Sequence, residues 1–233
     1  MNPETKKRIT FLAGFILYFA LLWTLWDTAI IYPVKVFVVF LHEISHALAA
    51  VGTGGAIERI VLDANQGGAA YTLGGSPFFT LSAGYLGSLL WGVLFIMLAF
   101  SRRIRPRWIM SVMGIGVVLL TVLLVRSLFG VVFGLAFGAA LLVGSRYLSQ
   151  GMNRIILLGL GLTSALYAIL DIKSDILDRS ALPSDARMLA EMTGIPPIFW
   201  GFLWIAIALL VCAWLLRWVA RRMDQFELNP ESP

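Results

Sequence analysis

The sequence predicts an all-α polytopic membrane protein with six or seven transmembrane helices and a small membrane-associated β-hairpin. Of its 233 residues, 59% are hydrophobic and 13% are charged, whereas charged residues make up about a quarter of a typical soluble domain. Apolar runs of about 20 residues, the length that crosses a bilayer, recur along the chain. Most of the 18 lysines and arginines cluster beside these runs. Such clusters are orientation signals of membrane proteins.

The same composition bounds the partners of the chain. A net charge of +5 in a soluble protein would suggest nucleic acid, but here the basic clusters flank membrane spans, so we expect a lipid bilayer and no nucleic acid as partner. The single Cys212 excludes an intrachain disulfide. We expect one domain over residues 1–233, integral and multi-pass, in the cell membrane, and the sequence does not predict its oligomeric state.

The first three elements are predicted from apolar runs and turn residues. Residues 9–32 lack a convincing cleavage site and predict a retained spanning helix. Pro33 suits the start of a second helix over about 34–51, because it sacrifices no intrahelical hydrogen bond there, and Gly52 ends it. Between Ile57 and Leu73, two β-like segments are separated by the sequence Asn-Gln-Gly-Gly, which predicts a hairpin within about 56–75.

Five further spans and one short helix follow. The first four of these spans are predicted at about 77–100, 108–125, 128–147 and 155–170. The third of these carries glycines at intervals of four, which indicates close helix packing rather than a gate or a dimer seam: Gly130, Gly134 and Gly138. An acidic helix end and loop, about 171–195, contains a short helix that starts near Ser184 and ends near Gly194. A last span runs from Pro197 to about 219.

One motif carries chemistry. His42-Glu43-Ile44-Ser45-His46 is an H-E-x-x-H sequence, and a spacing of four residues puts both imidazoles on one helix face, where they can bind one zinc ion. A zinc ion lowers the pKa of the water bound to it, and Glu43 can take the proton that this water releases. The resulting hydroxide can attack a peptide carbonyl that the metal polarises. His42 and His46 are the only two histidines in the chain. The alternative to metal binding is that they only form hydrogen bonds between helices.

Two histidines leave a catalytic zinc one protein ligand short, and we expect a carboxylate to supply it. Asp171 is the first choice, because it ends an apolar helix, and Asp175, one helical turn further, is the runner-up. Asp27 and Asp63 are weaker alternatives. Asp178 and Asp185 are interpreted as surface or capping residues.

Five parts of the chain carry a resemblance to a known family: residues 40–50 around the H-E-x-x-H motif, the glycine-bounded hairpin, and the blocks Ala83-Gly84-Tyr85-Leu86-Gly87, Leu170-Asp171-Ile172 and Ser184-Asp185-Ala186. Together they resemble the peptidase M50B-like branch of the site-2-protease-like intramembrane zinc metallopeptidases. The resemblance covers most of the chain. It implies one zinc ion held by His42, His46 and a distant aspartate, Glu43 as the catalytic base, and a membrane-dipping hairpin near the site. In the wider family the ligand aspartate usually lies in a Leu-Asp-Gly sequence, whereas in this chain Ile172 follows Asp171.

The resulting hypothesis is a zinc-dependent intramembrane endopeptidase that hydrolyses peptide bonds in or near transmembrane segments of membrane proteins. The hairpin could bind an unwound substrate segment along a strand edge, or it could be a plain connection. The competing hypotheses are a non-catalytic scaffold derived from such a protease and an ion or solute transporter. The positive-inside rule weakly favours a cytoplasmic C-terminus, with the catalytic end nearer the outer face.

Overall fold

The computed structural model describes residues 3–26, 28–175 and 184–227. Within these ranges the chain forms eight helices and a two-stranded sheet: α1 (Pro3–Leu25), α2 (Tyr32–Gly52), β1 (Ala56–Leu62), β2 (Gly68–Leu73), α3 (Pro77–Ala99), α4 (Pro106–Leu124), α5 (Leu128–Tyr147), α6 (Gln150–Lys173), α7 (Asp185–Thr193) and α8 (Pro197–Glu227). Six of the described helices are long and apolar enough to cross a membrane, and α1 contributes a shorter apolar stretch, Ala13–Leu25. The chain is therefore an integral, multi-pass membrane protein, as predicted.

The predicted helix bounds agree with the structure at some helix ends and differ at others. Helix α5 has the predicted bounds, and α3 ends one residue earlier than predicted. Helix α6 begins five residues earlier than predicted, because the Ser149 hydroxyl caps it by accepting a hydrogen bond from the Met152 amide at 3.2 Å. Helix α8 continues to Glu227, beyond the predicted end at 219.

Glycines set the distance between neighbouring helices. A Cβ atom at Gly134 of α5 would lie 2.1 Å from Thr121 Oγ1 of α4, and one at Gly138 would lie 2.6 Å from Val118 Cγ2. The prediction that these glycines serve helix packing is thus confirmed. In the same way, a Cβ at Gly92 of α3 would lie 2.4 Å from the Ala165 backbone nitrogen of α6. Without side chains at these points, the helix backbones can approach closely.

Helix α2 is the most enclosed of the described spans. In the most apolar 18-residue stretch of α2, 72% of the residues are buried inside the protein, whereas 28% are buried in the corresponding stretch of α4 and of α5. Aromatic stacking anchors it, since the Phe37 ring lies 4.7 Å from that of Phe137 and 6.4 Å from that of Phe95. The H-E-x-x-H residues of α2 therefore lie in the interior of the helix bundle and not on its lipid-facing surface.

The predicted hairpin is confirmed, and one of its edges is covered. Strands β1 and β2 pair antiparallel, with Ile60 opposite Ala70. The outer edge of β1 is held by the connection between α4 and α5: the Arg126 amide donates to the Ile60 carbonyl at 2.9 Å, and the Ser127 hydroxyl bonds the Leu62 carbonyl at 2.7 Å. The hairpin is thus attached to α4 and α5 through β1.

Candidate metal centre and active site

The two histidines are adjacent on the buried face of α2. His42 and His46 are 7% and 6% exposed, and their ring centroids lie 4.7 Å apart. Together with Glu43 they form a cluster whose potential ligand atoms all lie within 4.8 Å of one another. Helical periodicity explains this cluster, because residues four apart lie one above the other on the same face.

A carboxylate from a distant helix meets both imidazoles. The Asp185 Oδ2 atom lies 3.1 Å from His42 Nε2 and 3.2 Å from His46 Nε2. Asp185 is the first residue of α7, which begins there because the Ser184 hydroxyl accepts a hydrogen bond from the Arg187 amide at 3.3 Å. The interpretation of Asp185 as a surface or capping residue was wrong: Ser184 is the capping residue, and Asp185 is 8% exposed.

These distances fit a tetrahedral metal centre. Nitrogen and carboxylate ligands lie about 2.0–2.2 Å from zinc, so two such ligands at a tetrahedral angle are about 3.3 Å apart. The two distances from Asp185 Oδ2, 3.1 and 3.2 Å, are close to that separation. Two imidazoles and one carboxylate also leave the fourth position of such a centre open, which is typical of catalytic rather than structural zinc sites.

The hydrogen bonds of the rings favour metal binding by Nε2. His46 Nδ1 lies 2.7 Å from the Thr80 carbonyl oxygen of α3. Because a carbonyl only accepts, Nδ1 carries the proton, and the Nε2 lone pair of the neutral ring is left for a metal. The Nδ1 atom of His42 is buried and has no hydrogen-bond partner among the described residues.

The electrostatics of Asp185 favour its ionised form. Burial raises the pKa of the Asp185 carboxyl, but the positive charge of protonated His46 and hydrogen bonds from the protonated Nε2 atoms of His42 and His46 outweigh burial and hold that pKa below its usual range. A metal ion would replace these protons and favour the carboxylate in the same direction. A carboxylate must be ionised to bind a metal ion well. Asp185 therefore has the protonation state that a ligand requires.

The carboxylates predicted first as ligands lie beside the tyrosines that border His42. The Tyr85 hydroxyl donates a hydrogen bond to Asp175, and the Tyr167 hydroxyl interacts with Asp171. The two tyrosine rings meet the His42 ring edge-on, at centroid distances of 5.2 and 6.0 Å. Asp171 and Asp175 thus anchor two walls of the site.

The remaining acidic candidates can be placed only in part. Asp63 is exposed in the hairpin turn, where its carboxylate accepts a hydrogen bond from the Asn65 amide at 2.6 Å. It therefore has a local structural role. Asp27 and Asp178 lie outside the described residues.

Glu43 faces the second strand of the hairpin. It is 5% exposed, and its carboxylate lies within hydrogen-bonding reach of the Ala70 backbone amide. A Cβ atom at Gly68 would lie 2.7 Å from Glu43 Oε1. The glycine thus lets β2 lie directly against the carboxylate.

Helix α3 approaches the metal centre through two glycines. A Cβ atom at Gly84 would lie 2.3 Å from His42 Nε2 and 2.6 Å from His46 Cε1, and one at Gly87 would lie 2.2 Å from Ser45 Oγ. Distances below 3.0 Å do not occur for real Cβ atoms, so alanine at either position would displace its neighbours. The Ala-Gly-Tyr-Leu-Gly sequence of α3 therefore fits against the face of α2 that carries the histidines.

A bundle of apolar helices with a buried His-Glu-His cluster and an adjoining aspartate defines a membrane protein of the metallopeptidase class. The comparison with protein families names the group: the model of the peptidase M50B-like family matches residues 15–215, so the chain belongs to this family. Comparisons with curated proteins and with solved structures found no match.

Proposed function

We propose that the protein is a zinc-dependent endopeptidase that hydrolyses peptide bonds in or near the transmembrane segments of other membrane proteins. The observation that carries this proposal is the convergence of two imidazoles and a carboxylate beside Glu43, inside the most enclosed span. Ionisable groups are costly inside a membrane span and are retained there for a function. Membership of a membrane peptidase family supports the same reaction class.

The proposed ligands of one zinc ion are His42, His46 and Asp185. Asp185 replaces Asp171, the ligand preferred from the sequence, because its carboxylate oxygen contacts both Nε2 atoms. Asp171 instead interacts with the Tyr167 hydroxyl, on its own helix. Asp175, the former runner-up, accepts a hydrogen bond from Tyr85.

The reaction would divide between the metal and Glu43. A zinc ion held by these ligands supplies the acidification of water and the polarisation of a peptide carbonyl. Glu43 takes a proton from the attacking water and delivers it to the departing amide nitrogen, so it acts first as base and then as acid. Its enclosure between α2 and β2 excludes bulk water from this proton transfer.

The outer edge of β2 is the proposed binding site for the substrate backbone. The Ile60 carbonyl points away from β2, since it accepts from Arg126. In antiparallel pairs both partners of such a residue pair point outward, so the N–H and C=O groups of Ala70 point away from β1, and the N–H lies within hydrogen-bonding reach of Glu43. An unwound transmembrane segment that enters between β2 and Glu43 would take over the hydrogen bond of the Ala70 amide and present its peptide bonds to the metal centre.

Substitution of Glu43 by glutamine tests the proposed chemistry. The variant keeps the ligands and the shape of the site but loses the proton acceptor, so we expect cleavage to fall by a factor of about 10² to 10⁴ with unchanged zinc content. Cleavage of membrane proteins in reconstituted vesicles and elemental analysis of the purified protein measure the two quantities. Zinc in the wild type without any cleavage would favour the non-catalytic scaffold.

Substitution of Gly68 by alanine tests the contact between β2 and Glu43. The new methyl group would lie 2.7 Å from Glu43 Oε1 and must displace it, and displacement of a catalytic group by about 1 Å can cost about 100-fold in rate. We expect this loss with normal zinc content. Gly144→Ala is the control, since among the described residues its Cβ would meet only Leu148, at 3.4 Å. Equal activity of the two variants would contradict the assigned contact.

A further inference from the structure

A cavity lies away from the proposed metal centre, among α1, α3, α6 and α8. Its volume is about 290 Å³. The residues that line it are almost entirely apolar, and they include Phe15, Phe100, Leu158, Leu162, Leu215 and Val219. No ionisable group of the proposed reaction lines this cavity, so it calls for a different ligand, one with an apolar part.

One arginine is aligned with the wall of this cavity. Arg154, Leu158, Leu162 and Leu166 follow one another at intervals of four on α6, and the three leucines line the cavity. Residues at this spacing share a helix face. With a rise of 1.5 Å per residue, Arg154 lies about 6 Å along the helix axis from Leu158, one turn beyond the lining of the cavity. Side chains of a helix lean toward its N-terminus, so the guanidinium extends beyond the Leu158 end of the apolar space, where the polar end of a ligand with an apolar tail would lie.

The Arg154 guanidinium has an unused donor. Its Nε atom is buried and has no hydrogen-bond partner among the described residues. A buried donor without an acceptor destabilises the protein, and a charged one does so most strongly. An arginine presents several N–H groups in a planar fork that matches the oxygens of a phosphate. The unused donor thus points to an anionic ligand.

Two more cations flank the same end of the cavity. Arg103 follows Phe100 by three residues at the end of α3, and Arg217 follows Leu216 on α8, where Phe100 and Leu216 both line the cavity. Arg217 and Arg103 are exposed. Positive charge from α6, α8 and the loop after α3, next to an apolar cavity, complements an amphiphile with a negatively charged headgroup.

We propose that this cavity binds a phospholipid with an anionic headgroup, with an acyl chain among α1, α3, α6 and α8 and the phosphate on Arg154. The bilayer supplies such a ligand. The apolar lining accommodates the chain, and the guanidinium fork binds the phosphate oxygens. Arg103 and Arg217 favour a net negative headgroup over a zwitterionic one.

Native mass spectrometry of delipidated, detergent-solubilised protein, titrated with phosphatidylglycerol or phosphatidylcholine, tests this proposal. We expect one phosphatidylglycerol per chain, bound about tenfold more tightly than phosphatidylcholine. Arg154→Gln should remove this preference, and Arg154→Lys should keep part of it. Arg146→Gln is the matched control, because Arg146 is an exposed arginine at the end of α5, a helix that contributes no residue to the cavity lining. This variant should bind both lipids as the wild type does.

The cavity is tested separately from the arginine. Leu162→Trp and Leu216→Trp should each fill the cavity and lower the affinity for both lipids, and melting temperature and elution volume show whether each variant folds. Equal affinities for the two lipids, or equal effects of Arg154→Gln and Arg146→Gln, would refute the proposal. Displacement of the lipid by glycerol 3-phosphate would assign the site to a free phosphate compound. Normal lipid binding with lost substrate cleavage in the tryptophan variants would assign the cavity to a polypeptide.

Discussion

Purified Asp185→Ala protein is expected to contain almost no zinc, whereas the wild type contains about one ion per chain. The substitution removes the carboxylate oxygen that contacts both Nε2 atoms, at 3.1 and 3.2 Å. Loss of a residue that only orients a ligand already costs 10–100-fold in metal affinity, so loss of a ligand should cost more than about 100-fold. Elemental analysis and titration with a zinc chelator measure this affinity.

The matched control for Asp185→Ala is Asp171→Asn, which removes the charge that the sequence first suggested as a ligand. We expect Asp171→Asn to keep near-stoichiometric zinc, since Asp171 interacts with Tyr167. Zinc lost in Asp171→Asn and retained in Asp185→Ala would restore the original preference and overturn the ligand set proposed above. Zinc absent from freshly purified wild type would oppose the peptidase proposal itself and favour the transporter.

Gly84→Ala is expected to have an effect of similar size, although Gly84 has no side chain to bind anything. The added Cβ would lie 2.3 Å from His42 Nε2 and 2.6 Å from His46 Cε1. The imidazoles cannot yield freely, because α2 is enclosed and His46 is also bonded to the Thr80 carbonyl. We expect zinc affinity to fall by about 100-fold, as for other displaced ligands, and cleavage to fall with it.

Gly116→Ala provides the comparison for this effect. Gly116 also lies within a spanning helix, and a Cβ there would meet no atom within 4 Å in the part of the chain that the structure describes. Its zinc affinity and activity should match those of the wild type, and its stability should be equal or slightly higher, since alanine favours a helix by up to about 1 kcal/mol over glycine. Full zinc affinity in folded Gly84→Ala would show that α3 does not lie against the histidines as described.

Much of the fold follows from the sequence because a membrane imposes simple rules on it. Spans need about 20 apolar residues, and their ends carry proline, glycine, serine or arginine. Helix α5 was predicted on these grounds, and the hairpin was predicted from its two β-like segments and the turn sequence between them. The end of α8 was not predicted, because the helix continues beyond the apolar run to Glu227 through a sequence rich in charged residues. Hydropathy marks the part of a helix that crosses a bilayer and not its full length.

The site was predicted less completely than the fold. The positions of His42, Glu43 and His46 on one helix follow from local periodicity, and the structure brings them together as predicted. The aspartate beside them depends on tertiary packing: α7 docks against α3 and α8, which buries Asp185. An acidic residue after a helix-capping serine normally has a sufficient local explanation in the helix dipole. The Ser-Asp-Ala block that carries part of the family resemblance was the available signal.

The hydrogen bonds between β1 and the loop after α4 attach the hairpin to the α4–α5 helix pair. The hairpin also packs against α2, since Ile60 and Leu62 of β1 share one apolar core with Ile44. The contact between Glu43 and β2 is therefore supported from both sides. Admission of a polypeptide between them would require β2 to move away from Glu43, and the hydrogen bonds of β1 with Arg126 and Ser127 would oppose this movement. A helix pair that contributes none of the proposed ligands would thus limit access to them.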